Sequence, residues 1–239
     1  MSYPHSKTLM TLYAARVCPF AQRAVWALKE AKAEYEIEFI DLKNKPSWYS
    51  LVNPLLKVPT LRLPDGQFLY ESLLVARFVA DKYPESGLMP SDPLARYNVD
   101  YFIERVGDLI LKPSFEIARA PSEERVEKAN EVVKNNLVKI NTMLLERDSK
   151  NTGGNKGPYV LGSQFTLAEI CTLTFLSRLE LVFSLCNLEL NEEMASKLGV
   201  DLSRFFEWRN AVFARPAYIE SAPATEIIRH HYAPLMNLE

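Results

Sequence analysis

Short runs of strand-like and helix-like pattern alternate through the first third of the chain, and long apolar runs at helical spacing fill the rest. Thr8–Tyr13 (TLMTLY) is strand-like, and Pro19–Ala33 is helical by its Ala, Leu, Lys and Glu content. Tyr35–Leu42 (YEIEFIDL) sets apolar against acidic residues at period two, which predicts a half-buried strand. Lys45–Val52 reads as a short helix. Val58–Leu63 and Gln67–Tyr70 flank Pro64-Asp65-Gly66, a compact hairpin turn, and Glu71–Tyr83 returns to helical spacing. The predicted order is β-α-β-α-β-β-α, an α/β arrangement of helices packed on a mixed sheet.

Pro84–Pro93 (PESGLMPSDP) holds three prolines and a glycine and is the strongest linker signal in the chain. Beyond it the apolar periodicities are long and poor in strand character: Leu94–Ala118, Ser122–Arg147, Leu167–Leu185, Leu202–Ala214 and a last piece near Ala217–His230. The expected division is an α/β domain over 1–84, a linker over 85–92 and an all-α domain over 93–239. Asp148–Gly157 (DSKNTGGNKG) is polar and glycine-rich and is expected to be a surface loop. Phe165-Thr166-Leu167-Ala168-Glu169-Ile170 reads as a capping box, Thr166 to Glu169, with Phe165 and Ile170 as its hydrophobic staple.

Composition narrows the function classes. With 48% hydrophobic and 24% charged residues in 239, the chain has the proportions of a globular protein of two domains rather than a disordered one. Lys+Arg 28 against Asp+Glu 30 leaves no basic excess to suggest nucleic acid as a partner. No apolar run approaches the ~20 residues that span a bilayer, and MSYPHSKTLM lacks the form of a signal peptide. Three cysteines (Cys18, Cys171 and Cys186) make no closed disulfide framework and no CxxC pair, which points to a reducing compartment, the cytoplasm. His5, His230 and His231 lie near the chain ends, and no metal site is expected.

The sharpest chemical feature is Cys18, between a strand and a helix that Pro19 opens. A thiolate there faces unpaired backbone N–H groups and the positive end of the helix dipole. Cysteines so placed are acidified from about 8.5 into the range of roughly 3.5–7.5 and become nucleophiles at neutral pH. Arg16 and Arg23 are placed to add positive charge. Cys171 and Cys186, inside apolar helices, fit the commoner fate of a small buried side chain. Ala21 stands where a CxxC protein has its second thiol, so a mixed disulfide on Cys18 must be released by an external thiol such as glutathione.

Two further stretches carry binding chemistry. Lys57-Val58-Pro59-Thr60 opens a strand with a proline, a place for a turn or a cis peptide bond, and leaves the Val58 backbone able to pair with an extended peptide. Tyr70-Glu71-Ser72 begins a helix, where Ser72 suits a carboxylate and Glu71 an ammonium group. Taken alone, that pair reads more simply as an N-cap and a first-turn acid.

Cys18-Pro19-Phe20, Asp41-Leu42-Lys43-Asn44-Lys45-Pro46, Asn53-Pro54, Val58-Pro59 and Glu71-Ser72 together resemble the omega class of the cytosolic glutathione transferases, densely over residues 9–83 and more loosely beyond. The resemblance implies a thioredoxin-like domain followed by an all-helical one. It implies a mixed disulfide between Cys18 and glutathione, pairing of Val58 with the cysteinyl backbone beside a cis bond at Pro59, Glu71 and Ser72 on the γ-glutamyl group, Lys45 on the glycine carboxylate, and Phe20 and Leu56 around the thiol. Lys57 departs from the apolar residue expected before Val58-Pro59, and Glu169 stands where many relatives have Asp. For a second substrate between the domains the resemblance suggests Arg178 and Trp208, with Tyr97 and Tyr101 from the first long helix.

The implied activity is glutathione-dependent thiol transfer and reduction: deglutathionylation, reduction of S-glutathionyl ketones, or dehydroascorbate reduction, with glutathione as co-substrate and apolar or glutathionylated small molecules as partners. Conjugation to electrophiles is expected to be poor without a Ser or Tyr hydroxyl at the thiol. The alternative is a binding protein that stores apolar molecules in the cleft; a structural or regulatory module is disfavoured by Cys18 and its clamp. A homodimer is expected, from the resemblance and from the surplus of aromatic and apolar residues over Leu94–Leu111.

Overall fold

The computed structural model describes residues 2–150 and 155–238. One compact unit takes in the chain up to Met89 together with Ala217–Pro223, and a second comprises Pro90–Pro216 and the chain from Ala224 onward. The division after Met89 falls within the expected linker, 85–92. Part of the last predicted helix returns to the first unit.

The first unit follows the predicted order: β1 (Met10–Ala14), α1 (Pro19–Glu30), β2 (Tyr35–Phe39), α2 (Tyr49–Val52), β3 (Thr60–Arg62), β4 (Phe68–Leu69) and α3 (Ser72–Lys82). The sheet order is β2-β1-β3-β4, with β1 parallel to β2 and antiparallel to β3, and β3 antiparallel to β4. This is a thioredoxin-like arrangement. Every residue of β1 is buried, as befits a central strand covered on both faces. On one face Tyr13 packs with Ile40, Tyr49 and Val52, flanked by Tyr3, Trp48, Val58 and Phe68. α2 is shorter than the predicted Lys45–Val52, because Pro46 precedes it only as the acceptor of a single turn. In the hairpin turn, Gly66 at φ 95° adopts a backbone that other residues avoid. Outside the first third of the sequence, Glu220 pairs with Lys29 at 2.9 Å, and Tyr218 packs against Trp26 at 5.0 Å between centroids.

The second unit is all-helical: α4 (Pro93–Arg119), α5 (Ser122–Glu131), α6 (Val138–Lys150), α7 (Leu167–Leu185), α8 (Glu192–Lys197), α9 (Ser203–Phe213) and α11 (Thr225–Tyr232), with α10 (Pro216–Ser221) leading back to the first unit. α7 is buried over most of its length and forms the centre, with α4 against it. The single helix predicted over Ser122–Arg147 is interrupted by a π-helical turn, Val132–Leu137. α8 was not anticipated; Asn191 caps it. Of the expected loop Asp148–Gly157, Asp148 and its neighbours to Lys150 are helical, and 151–154 lie outside the described residues. Asp148 is an ion-pair partner of buried Arg204 at 2.7 Å, and that guanidinium also donates to the carbonyls of Gly157, Pro158 and Tyr159. Among the described residues, no helix is long and apolar enough to cross a membrane.

Candidate functional site

β1 delivers the chain to the start of α1, where Cys18 is the N-cap in an extended conformation (φ −81°, ψ 116°) and Pro19 is the first helical residue. The Cys18 side chain makes no capping hydrogen bond and is partly exposed, while its carbonyl accepts from the Gln22 N–H at 3.0 Å. The two nearby arginines are engaged elsewhere as well. Arg16 lies over the Phe39 ring at 3.7 Å, and buried Arg23 donates from Nη1 to Ser72 Oγ at 3.3 Å. Arg23 thereby ties the start of α1 to the start of α3.

Beside this helix start a cavity of about 730 Å³ opens in the first unit, lined by Phe20, Leu42, Lys45, Asn53, Pro54, Leu55, Leu56, Lys57, Val58, Pro59, Tyr70, Glu71 and Ser72. Its size suits a small ligand. All eight residues expected around the tripeptide (Phe20, Lys45, Leu56, Lys57, Val58, Pro59, Glu71 and Ser72) are on this wall. Cys18 is not itself among the lining residues; Phe20 represents that helix there.

The wall is held in an uncommon backbone. The Val58–Pro59 peptide bond is cis. Leu56 (φ 53°) and Glu71 (φ 64°) occupy the left-handed region that non-glycine residues rarely adopt, at a cost of order 1–3 kcal/mol each. Glu71, expected as a first-turn acid, is the N-cap of α3; Ser72, expected as the cap, is its first helical residue and is buried. Neither side chain caps the helix in the usual way. Lys45, Lys57 and Glu71 bring two ammonium groups and one carboxylate to the rim, and no ion pair joins them among the described residues.

Side chains in and behind the wall make hydrogen bonds that the sequence does not announce. The Tyr49 hydroxyl donates to the Lys57 carbonyl at 2.7 Å, and Asn53 Nδ2 donates to the same oxygen at 3.0 Å and to Thr60 Oγ1 at 2.9 Å. Asn53 Oδ1 accepts from the Leu55 N–H at 2.9 Å, and the Tyr70 hydroxyl donates to the Val52 carbonyl at 3.3 Å. Burial pushes the Tyr49 phenol up to about 12, with Thr60 pulling it partly back and Cys18 pushing the same way as burial. The Asn53-Pro54 pair was the signal available for this network in the sequence.

Of the four residues suggested for a second substrate, two are exposed and two are buried. Tyr97 and Tyr101 are exposed on α4 with their rings stacked at 5.9 Å. Trp208 is fully buried, edge-on to Phe102, with its indole N–H directed to Glu169 Oε1 at 3.4 Å. With Phe205 and Val212 it makes up the buried face of α9. Arg178, on α7, is also buried, and donates to Ser177 Oγ at 2.9 Å. Among the described residues no group of three or more His, Cys, Asp or Glu is placed to hold a metal ion.

Comparison with known proteins places the same stretches in one family. The model described as "Glutathione S-transferase, N-terminal domain" matches residues 17–82, and that described as "Glutathione S-transferase, C-terminal domain" matches residues 97–189. Glutathione S-transferase omega-1 of Mus musculus is 42% identical over 82 residues, 34% of this chain and 34% of that protein. The matched region thus spans about a third of that relative's length. A protein of Oryza sativa subsp. japonica, "Probable glutathione S-transferase DHAR1, cytosolic", is 26% identical over 222 residues, 92% of this chain and 91% of its own. Among solved structures, glutathione transferase Omega 1C from Trametes versicolor superposes with a TM-score of 0.70 at 29% identity, covering 96% of this chain and 97% of that one.

Proposed function

Because the chain belongs to the glutathione S-transferase family and is omega-like, we propose that it is a glutathione-dependent thiol transferase and reductase that works through a mixed disulfide on Cys18. The observation that carries this reading is the partly exposed Cys18 at the N-cap of α1, beside a cavity walled by Lys45, Val58, Glu71 and Ser72. Glu71 would hold the γ-glutamyl ammonium, Ser72 and the free N–H groups of α3 its carboxylate, and Lys45 the glycine carboxylate, each a charge-assisted contact.

In the first step the Cys18 thiolate attacks the glutathionyl sulfur of a mixed disulfide. The Cys18–glutathione S–S bond forms, the original S–S bond breaks, and the partner leaves as a thiolate. With an S-glutathionyl ketone the bond that breaks is C–S, and the departing carbanion takes a proton to give the ketone. A second glutathione, as thiolate, then attacks the enzyme-bound glutathionyl sulfur; oxidised glutathione leaves and Cys18 is restored. Dehydroascorbate reduction fits the same two-electron cycle, and a reducing compartment such as the cytoplasm fits three cysteines that form no disulfide. The exposed Tyr97–Tyr101 pair supports a homodimer; light scattering that reads a mass near 27.3 kDa at all concentrations would refute it.

The deciding experiment is glutathionyl-disulfide reduction by wild type and Cys18→Ala. Activity should vanish while glutathione affinity stays nearly intact, because the cavity wall is untouched. Mass spectrometry after oxidised glutathione should find one adduct, on Cys18. Full activity in the variant, or modification chiefly at Cys171 or Cys186, overturns the reading.

A further inference from the structure

Val58 presents both of its backbone polar groups unpaired: among the described residues nothing hydrogen-bonds to its N–H or its C=O. The preceding carbonyl is in the opposite condition. The Lys57 oxygen accepts from two side chains, Tyr49 at 2.7 Å and Asn53 at 3.0 Å. The Lys57 C=O and the Val58 N–H are opposite edges of one planar peptide unit, so whatever fixes the first aims the second. Two donors use both lone pairs of that oxygen, and by polarising the amide they strengthen its N–H as a donor.

We propose that Tyr49 is a positioning residue for the tripeptide: through the Lys57 carbonyl it aims the Val58 N–H at the cysteinyl carbonyl of glutathione. This rests on reading the cavity as the glutathione site. Tyr49 is suited to the task on three counts. Its ring is fully buried and sits 6.1 Å from Tyr13 and 5.9 Å from Trp48 between centroids, so the hydroxyl cannot swing away. Its phenol, pushed up to about 12, remains a donor throughout the physiological range. Val58 packs against the same aromatic cluster, so the ring sets the side chain of that residue while the hydroxyl sets its peptide plane. Asn53 shares the carbonyl but also ties Thr60 and Leu55. Its replacement would loosen the whole loop, whereas Tyr49→Phe keeps the ring and removes one hydrogen bond.

The test compares wild type and Tyr49→Phe with two ligands: glutathione, and an analogue in which the cysteinyl carbonyl is reduced to methylene. Asn53 keeps the Lys57 oxygen satisfied, so the variant should fold, with a melting temperature within a few degrees of wild type. Glutathione should bind the variant roughly five- to tenfold more weakly, the range of one lost hydrogen bond. KM for glutathione should rise by the same factor with kcat within about twofold and the pH profile unmoved. The analogue, lacking the acceptor, should bind both proteins equally. Equal glutathione affinity in the two proteins overturns the proposal, as does an equal penalty for both ligands or a fall in kcat at constant KM. A wild type that binds no glutathione is a different result: it overturns the reading of the cavity itself, and the proposal with it.

Discussion

Two helix starts, one in each unit, carry a glutamate and a hydroxyl residue, and they are built in opposite ways. At α7, Thr166 caps the helix and Glu169 returns to it; Glu169 accepts from the Val160 and Thr166 N–H groups at 2.8 and 2.9 Å, from the Thr166 hydroxyl at 3.0 Å, and the Trp208 indole N–H points to it at 3.4 Å. Nothing of it is left exposed. At α3, Glu71 is exposed and strained at φ 64°, and its side chain does not cap the helix. A helix start whose donors and acceptors are used up inside the protein can only hold the fold together. One whose cap residue is strained and leaves its carboxylate exposed fits the ligand site proposed above.

The comparison breaks first at Glu169. Glu169→Ala should strip acceptors from buried donors at Val160, Thr166 and Trp208, costing roughly 3–5 kcal/mol at about 1–3 kcal/mol per stranded group. For a chain of this size that lowers the melting temperature by on the order of 10 °C. Glutathione affinity of the folded protein should not change. The carboxylate also carries a pH signature. Burial holds Glu169 above its ordinary 4.5, with the donors of Val160 and Thr166 pulling it back. The folded state thus favours the protonated form, so this contribution is complete below the unfolded pKa and is lost as pH rises through the folded one. The stability of wild type minus that of Glu169→Gln should therefore fall as pH rises from below 4.5. A flat or rising difference in urea titrations would sink the assignment.

Glu71 should behave in the reverse manner. Glu71→Ala should weaken glutathione binding about 10- to 100-fold, as expected for loss of a charge-assisted contact of roughly 1.5–3 kcal/mol, while the melting temperature stays within a few degrees of wild type. Glu71→Gly should lose the same affinity yet melt no lower than wild type, because glycine relieves the positive φ by about as much as it gains in unfolded-state entropy. A Gly variant that melts well below wild type would mean that Glu71 is structural, and the contrast with Glu169 would disappear.

How far the sequence could be read follows from where each signal lies. The β-α-β-α-β-β-α order is punctuated by Pro19, Pro46, Pro64-Asp65-Gly66 and Pro84, which act locally and show in the sequence. The turn at Val58-Pro59 was legible for the same reason, whereas Glu71 and Ser72 were each expected in the other's place, because the left-handed backbone that makes Glu71 the N-cap leaves no mark in the sequence. Tyr49 was not legible, because a phenol donating to a carbonyl eight residues on leaves no periodicity. Trp208 was suggested by the resemblance alone, which carries no sign that the ring is buried against Phe102 and Phe205. The return of Ala217–Pro223 to the first unit depends on Glu220 meeting Lys29 and Tyr218 meeting Trp26, contacts almost 200 residues apart in sequence. The capping box Thr166–Glu169 was read correctly; its fourfold use of one carboxylate was not, since Val160 and Trp208 come from elsewhere in the chain.

The smallest effect sharpens the rule at a third place. Pro113 lies inside α4 and has no N–H for the Leu109 carbonyl four residues back. That carbonyl is nevertheless satisfied: Asn136 Nδ2 donates to it at 3.0 Å, from within the π-helical turn Val132–Leu137. π-turns often mark functional sites. Here the widened turn has a structural account, since it sets Asn136 against the one carbonyl that the proline leaves without a helical donor. If saturation separates structural from receptive sites, this turn belongs with α7 and not with α3. Asn136→Ala should then cost about 1 kcal/mol, the net worth of one hydrogen bond, or a melting shift of roughly 2–4 °C, with unchanged kinetics toward every glutathione substrate. Pairing it with Pro113→Ala supplies the check, because the restored helical N–H takes over the Leu109 carbonyl and the Asn136→Ala penalty should shrink in that background. A penalty of equal size with and without Pro113 would detach the π-turn from the proline, and altered turnover in Asn136→Ala would move it to the receptive class.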